Sequence, residues 1–122
     1  MATVRAVTPA EAAQALAGLS ALDPRGLCRE ADLLPMCQAA AHCLSVEDKT
    51  GRALIVVNVV NGVHWIEAAG GGGGDNLCPF IDAAMDNLGA VSVGFQTMRP
   101  GLVKRAHQLG YRTAGFILRR DK

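Results

Sequence analysis

The chain has 122 residues, enough for one folded domain and too few for two domains with separate cores. Half of the residues are hydrophobic and 19% are charged, a composition typical of a globular protein and not of a disordered one. The formal net charge of +1 gives no electrostatic reason to expect nucleic-acid binding. The sequence therefore predicts one domain over residues 1–122 with no nucleic-acid partner.

No apolar run approaches the ~18–20 residues of a membrane-spanning helix, and the N-terminus lacks the basic-then-apolar order of a signal peptide. We therefore expect a cytoplasmic protein with no membrane partner. The cysteines, at Cys28, Cys37, Cys43 and Cys78, match no zinc-ligand spacing, so we expect no metal site. In a reducing compartment they are expected to be buried, unmodified thiols, with a disulfide framework as the alternative.

The first half of the chain carries signals for a strand and two helices. Residues Thr3 to Val7 are expected to form a short strand. A T-x-x-E capping box beginning at Thr8 predicts a helix from Pro9 to about Leu22. A second helix is expected within Arg29 to Ala41, and Pro35 is expected either to break it or to begin it.

The middle of the chain changes to the two-residue period of strands. Alternation starts at His42, and residues Asp48 to Gly51 are typical of a turn. A strand from Arg52 to Val60 follows. The Asn-Gly pair at positions 61 and 62 predicts a type I′ hairpin turn, because that turn needs a positive φ at both central residues. With the return strand, Val63 to Ala68, the sequence predicts three consecutive antiparallel strands.

The second half is expected to alternate strands with helices after a run of five glycines, Gly70 to Gly74. We expect Asp75 or Asn76 to cap the first of these helices, and Gly89 to end it. Helix-length crossovers join parallel strands, so a parallel pair is expected around Ala68 and Val91. The predicted elements are a helix to about Leu88, a strand from Ala90 to Phe95, a helix from Pro100 to Leu109 and a strand from Tyr111 to Arg119.

The element order and the segment from Arg99 to Tyr111, with its Leu-Gly-aromatic ending, resemble the GNAT superfamily of acyl-CoA N-acyltransferases. The resemblance implies an α/β fold with a mixed sheet, in which antiparallel N-terminal strands precede a strand–loop–helix–strand–helix–strand half. The family's seventh strand is missing, because the chain stops at Lys122. An unpaired edge from Thr113 to Leu118 would then favour a homodimer.

The resemblance implies a binding site for acetyl-CoA between the splayed fourth and fifth strands. In the family, a loop after the fourth strand wraps the pyrophosphate with backbone amides. By position, the matching residues here are Ala68, Gly70, Gly71, Gly72, Gly73, Gly74 and Asn76. No Gln or Arg opens this loop, and Asp75 would place a carboxylate beside the phosphates. A flexible strand-to-helix connector is the alternative interpretation.

The resemblance also implies positions for catalytic groups. The family's frequent tyrosine acid falls on Ala106, which cannot donate a proton. A carboxylate on the fourth strand often acts as general base, and Glu67 occupies that strand. His64 is a second candidate base. The corresponding structural interpretations are a solvated charge at the strand end for Glu67 and a hydrogen-bonded structural histidine for His64.

Two neighbouring side chains have both a structural and a chemical interpretation. Tyr111 is close in sequence to the missing acid, but it matches a core phenylalanine of the family, so burial is expected. Cys78 lies in the first turn of a helix, where a thiol pKa can be lowered. An inert buried thiol is the alternative at this position.

Two functions remain open from the sequence. The first is an N-acetyltransferase that moves an acetyl group from acetyl-CoA to an amine. The second is a non-catalytic protein that keeps the acyltransferase fold for assembly or partner binding. Compact proteins of this second kind are similar to some that bacteriophage genomes encode. Fold alone does not decide between the two functions.

Overall fold

The computed structural model describes residues 2–18, 30–72, 77–95, 100–114 and 120. In chain order, the elements are β1 (Thr3–Ala6), α1 (Pro9–Ala17), α2 (Glu30–Ala39), β2 (His42–Asp48), β3 (Gly51–Val60), β4 (Val63–Gly72), α3 (Cys78–Leu88), β5 (Val93–Phe95) and α4 (Pro100–Gln108). This is the mixed α/β class that the sequence predicts.

The five strands form one sheet in sequence order, from β1 to β5. Strands β1 to β4 pair antiparallel, and β4 and β5 pair parallel. Asn61 and Gly62 have φ values of 52° and 79°, so the predicted type I′ turn between β3 and β4 is confirmed. The parallel pair is confirmed too, although it joins His64–Ile66 to Val93–Phe95 and so lies near the start of β4 and not around Ala68.

Helices cover both faces of the sheet, and alternate residues of each strand point to opposite faces. One face, here called the α3 face, carries Val46, Ile55 and Val57, which pack against α3. The other, the α1–α2 face, carries Leu54 and Val56, which pack against α1 and α2. Ile55, Val56 and Val57 are each 0% exposed, so consecutive residues of β3 are buried on opposite sides. This double burial explains the continuous apolar run in β3.

The N-terminal helices form where the sequence predicts them. Thr8 Oγ1 accepts a hydrogen bond of 3.1 Å from the backbone N–H of Glu11, which confirms the N-cap of α1. Helix α1 ends at Ala17 with Gly18 as its C-cap, short of the predicted end at about Leu22, and residues 19–22 lie outside the described ranges. Pro35 neither breaks nor begins α2, so that prediction was wrong. Packing explains the continuity, because Leu33 and Cys37 on either side of Pro35 are buried against the neighbouring elements.

The second half differs from the predicted bounds at two strands. Strand β4 continues past Ala68 to Gly72, so the first glycines of the run belong to the sheet. Strand β5 begins at Val93 and not at Ala90. The physical reason is the end of α3, where Gly89 adopts a left-handed conformation and the Ala90 N–H donates to the carbonyl of Met85. Ala90 therefore belongs to the helix cap.

The predicted last strand is not seen in the part that the structure describes. Residues 111–114 are irregular, and residues 115–119 lie outside the described ranges. Gly110 ends α4 with a φ of 93°, as predicted. The homodimer expected through the edge Thr113 to Leu118 stays a prediction, and sedimentation equilibrium would test it.

Cys37, Cys43 and Cys78 are buried cysteines, as expected, and Cys28 lies outside the described residues. Among the described residues, no group of three or more His, Cys, Asp or Glu side chains is placed to hold a metal ion. Within the same ranges, no helix combines the length and apolar character needed to cross a membrane.

Candidate active site

Among the described residues, strands β4 and β5 pair at three positions, from His64 with Val93 to Ile66 with Phe95. Residues 96–99, which follow β5, lie outside the described ranges. Strand β4 continues for six residues, Glu67–Gly72, on the side that pairs with β3, and its β5 side has no strand partner among the described residues. We call this segment of β4, together with the end of β5 at Phe95, the β4–β5 opening.

A β-bulge lies at the start of the β4–β5 opening. Val57 of β3 is opposite Ile66, whereas Val56 is opposite Ala68, so Glu67 is the extra residue. Such a bulge disrupts the ladder, bends the strand and redirects side chains. The Glu67 side chain is exposed, and Ala68 packs against the α1–α2 cluster. The structure therefore exposes the candidate base Glu67 directly after the last described β4–β5 pair, Ile66 with Phe95.

The glycine run has two parts. Gly70, Gly71 and Gly72 lie in β4, opposite Leu54, Ala53 and Arg52, so they do not form the loop that the sequence predicts. Gly71 has a φ of 92°, and a Cβ atom there would collide with the carbonyl oxygen of Arg52. Close backbone approach thus requires glycine at this position. The remaining predicted binding residues, Gly73, Gly74 and Asn76, lie outside the described residues, as does Asp75.

Helix α3 begins without a side-chain cap. Its N-cap is Leu77, which has no side chain capable of hydrogen bonding, so the prediction of a cap by Asp75 or Asn76 was wrong. The Ile81 N–H donates to the Leu77 carbonyl at 3.0 Å, which starts the helical ladder one turn in. Pro79 removes one of the unsatisfied N–H donors of the first turn. The helix start retains its partial positive charge, which favours an anion.

Titratable groups of helices α3 and α4 influence one another electrostatically. Burial raises the pKa of the Cys78 thiol, Asp82 raises it further, and Arg105 opposes the shift. Burial also raises the pKa of Asp82, with a contribution from Asp86. A raised thiol pKa leaves Cys78 protonated at neutral pH, so the inert-thiol interpretation is supported and the lowered pKa is not.

Tyr111 is partly buried beside the end of β5, as expected. Its ring meets Phe95 edge-on, with centroids 5.3 Å apart. Burial, then Asp82 and Cys78, raise the pKa of Tyr111 to about 12, so the phenol is protonated at neutral pH. Ala106, at the position of the family's tyrosine, is 4% exposed and belongs to the packed side of α4. The described part of α4 thus has no proton donor at that position.

The two candidate bases lie on opposite faces of the sheet. His64 is opposite Val59 and Val93, which places it on the α3 face with Ile66. Glu67 follows Ile66 directly and points to the other side. His64 Nδ1 is buried with no hydrogen-bond partner, so the expected hydrogen bond is absent at that atom. The structure therefore does not bring His64 and Glu67 together.

Sequence reasoning missed the contact between Trp65 and Gly94. The two residues pair across β4 and β5, and a Cβ atom at position 94 would lie 2.6 Å from Cζ3 of Trp65. The indole therefore lies directly over the backbone of β5, on the same face as Glu67. No local pattern reveals this contact, because it depends on the register between two strands about 30 residues apart. A lone glycine inside a predicted apolar strand was the available signal.

The comparisons with known proteins agree with this architecture. No family model matches the sequence, and no curated protein does. Several solved acetyltransferases are similar in structure over nearly the whole chain. They include AAC(6')-Iy in complex with the bisubstrate analogue CoA-S-monomethyl-acetylneamine (TM-score 0.57, 17% identity, 100% of this chain and 98% of that chain).

Two more neighbours have the same extent of similarity. One is a probable acetyltransferase from meticillin-resistant Staphylococcus aureus (TM-score 0.58, 13% identity, 98% of this chain and 100% of that chain). The other is a ribosomal-protein-alanine N-acetyltransferase from Brucella melitensis biovar Abortus 2308 (TM-score 0.59, 12% identity, 99% of this chain and 100% of that chain). With its parallel β4–β5 pair, joined through helix α3, and its antiparallel strands β1 to β4, the chain has the fold of the GNAT acetyltransferases.

Proposed function

We propose that this protein is an N-acetyltransferase that moves an acetyl group from acetyl-CoA to an amine. One observation carries the proposal: over nearly its whole length the chain has the fold of solved acetyltransferases, and a bulge in β4 exposes Glu67 directly after the described β4–β5 pairs. We infer that β4 and β5 part beyond these pairs, so that unpaired backbone donors and acceptors face an extended ligand such as the pantetheine arm. The same location provides a carboxylate to an incoming amine.

The residues around the β4–β5 opening fit an acyl-CoA donor. The segment Glu67–Gly72 would bind the pantetheine amides, and the uncapped start of α3 would attract the pyrophosphate. Arg105 stands close enough to Cys78 to act on its pKa, so a positive charge lies near the first turn of α3. Gly73, Gly74 and Asn76, between β4 and α3, remain proposed contacts from the sequence.

Glu67 is proposed as the general base. The amine nitrogen forms a bond to the thioester carbonyl carbon, its proton passes to Glu67 directly or through one water, and the carbon–sulfur bond breaks. Ala106 cannot protonate the departing thiolate, so water is the proposed proton source. His64 is not assigned this role, because it lies on the α3 face, away from Glu67.

Binding and chemistry are tested separately. Saturating acetyl-CoA should raise the melting temperature, since a ligand present at 100 times its Kd adds about 2.7 kcal/mol to the free energy of unfolding. Glu67→Gln should keep this stabilisation and lower kcat by about 100-fold or more against an amine panel. Glu47→Gln, an exposed change on β2, is the matched control and should alter neither measurement.

The alternative function is an outcome of the same experiment. A melting temperature that acetyl-CoA leaves unchanged would contradict donor binding and favour the non-catalytic assembly role. Stabilisation by acetyl-CoA with full activity in Glu67→Gln would retain the acetyltransferase and remove Glu67 as its base. A cytoplasmic location and a bacteriophage-type origin stay predictions from the sequence.

A further inference from the structure

The acceptor amine must approach the β4–β5 opening from a defined side. Helix α3 packs on one face of the sheet, and its uncapped start lies on that side. Glu67 points to the α1–α2 face, so the proton acceptor and the start of α3 are separated by the sheet. An amine that delivers its proton to Glu67 therefore approaches across the α1–α2 face.

On that face, the nearest neighbour of Glu67 along β4 with an extended side chain is Trp65. Residues two apart in a strand share a face, and the extra residue of the bulge keeps Glu67 on the side of Trp65. The indole is half-buried and lies against Gly94, whose missing side chain leaves room for the ring. The ring is thus fixed on one side by the backbone of β5.

Among the described residues, helices α1 and α2 do not extend over Trp65. Helices α1 and α2 pack over β2 and β3, and Ala68 is the β4 residue in contact with their cluster. Trp65 precedes the bulge at Glu67, on the side of the hairpin turn at Asn61. An aromatic ring and a carboxylate are therefore neighbours at the edge of the β4–β5 opening.

We propose that Trp65 and Glu67 form the acceptor subsite and select an aliphatic primary amine that binds as an ammonium ion and loses one proton to solvent before the free amine attacks. The face of an indole attracts a cation, and a carboxylate beside it adds an opposite charge. The alkyl chain of such an amine packs on the remaining ring surface. Gly94 is a positioning residue, because it keeps the indole close to the strand. This inference rests on the proposed acetyltransferase function.

The sequence offers a direct probe, since Trp65 is its only tryptophan. Titration with n-pentylamine should change the indole fluorescence of the CoA-saturated protein. The neutral analogue n-pentanol should bind with a Kd at least about fivefold higher. An equal response to both compounds, or no response to the amine, would overturn the inference.

Variants separate the acceptor subsite from donor binding. Trp65→Leu should raise the KM for pentylamine about tenfold while the Kd for acetyl-CoA stays unchanged, and Trp65→Phe should restore most of the loss. Gly94→Ala should weaken amine binding with Trp65 still present. Val60→Ala, an exposed change on the same hairpin, is the control and should have no effect.

The two failures are distinguishable. Loss of the proposed function shows as a melting temperature that does not respond to acetyl-CoA. Failure of the acceptor subsite shows as normal acetyl-CoA stabilisation with a pentylamine KM that Trp65→Leu and Trp65→Phe leave at the parent value. If Trp65→Leu folds poorly, the fluorescence titration of the parent with n-pentylamine and n-pentanol still decides the inference.

Discussion

Two regions of the sheet, the β2–β3 pair and the β4–β5 pair, differ in how far their strands pair among the described residues. Strands β2 and β3 pair over seven residues, and their side chains are buried on both faces. Strands β4 and β5 pair over three described residues, and the remaining six residues of β4 have β3 as their only strand partner in the described ranges. The first region resembles the interior of a typical domain, whereas the second leaves backbone groups and a bulged carboxylate accessible.

This difference indicates that the β2–β3 region stabilises the fold, whereas the β4–β5 region is available to bind a ligand. A rigid antiparallel half holds one side of β4 in register through Gly72, so the free side is presented to a ligand without loss of the strand. Because binding groups on rigid elements are held more accurately than those on loops, the β4–β5 opening is a suitable place for a reactive site.

The same substitution should have unequal effects in the two regions. Val57→Ala in β3 removes a side chain that is 0% exposed and should lower the free energy of unfolding by about 2–3 kcal/mol. Val93→Ala in β5 removes a half-buried side chain and should cost about 1 kcal/mol. Urea unfolding measures both variants, and an equal or reversed order would break the comparison.

Gly71 should be the glycine of β4 that tolerates substitution least. Gly71→Ala places a Cβ against the carbonyl of Arg52 at a φ of 92°, so it should cost about 2–3 kcal/mol. Gly101→Ala, in open space on α4, is the matched control and should stabilise by up to about 1 kcal/mol. A Gly71→Ala variant as stable as the parent would show that β4 is not held against β3 at this point.

The cap of α1 should contribute less than either of these. Thr8→Ala removes the acceptor of the Glu11 N–H and should cost about 1 kcal/mol, measured by thermal unfolding. Gln14→Ala, an exposed change in the same helix, should stay within about 0.5 kcal/mol of the parent. Because α1 packs on β2 and β3, Thr8→Ala should leave the increase in melting temperature caused by acetyl-CoA unchanged.

The raised pKa of Tyr111 should have the smallest effect on stability. It reports on the surroundings of Phe95, at the end of β5. Tyr111 is the only tyrosine, so tyrosinate absorbance follows it alone. The folded protein should titrate at about 12, because burial is the main cause of the raised pKa and Asp82 adds to it. Asp82→Asn should lower this pKa, and Asp86→Asn is the control that should leave it nearly unchanged.

The sign of the linked stability change follows from proton counts. Below the ordinary pKa of tyrosine, about 10, both the folded and the unfolded chain keep the phenolic proton, so stability does not depend on this group. As the pH rises from there towards the folded-state pKa of about 12, the unfolded chain loses the proton first. Stability should therefore fall as the pH rises through this window, and an increase would contradict the burial of Tyr111.

The sequence predicted those parts of the fold that short-range chemistry determines. The Asn61-Gly62 turn needs two residues that accept positive φ, and the Thr8 cap needs a hydroxyl three residues before an N–H donor. Both signals lie within four residues and both were confirmed. Pro35 shows the limit of such signals, because long-range packing of its neighbours keeps α2 intact across it.

The candidate site was less accessible from the sequence because it depends on register. Glu67 was named as a base, but its place in a bulge follows from the offset between Val56 and Val57 and their β4 partners. The Trp65–Gly94 contact likewise requires the β4–β5 register. Cross-strand offsets of one residue leave no local pattern, so these features emerge only from the assembled sheet.

Backbone amide NMR during an acetyl-CoA titration tests the central claim most directly. If acetyl-CoA binds in the β4–β5 opening, the largest shift changes should fall on residues 67–72 and on the first turn of α3, beginning at Cys78. The hairpin turn at Asn61 and Gly62 lies at the opposite end of β4 from Gly72 and should stay unchanged. The largest changes at that turn, or none at residues 67–72 when acetyl-CoA is saturating, would contradict this account.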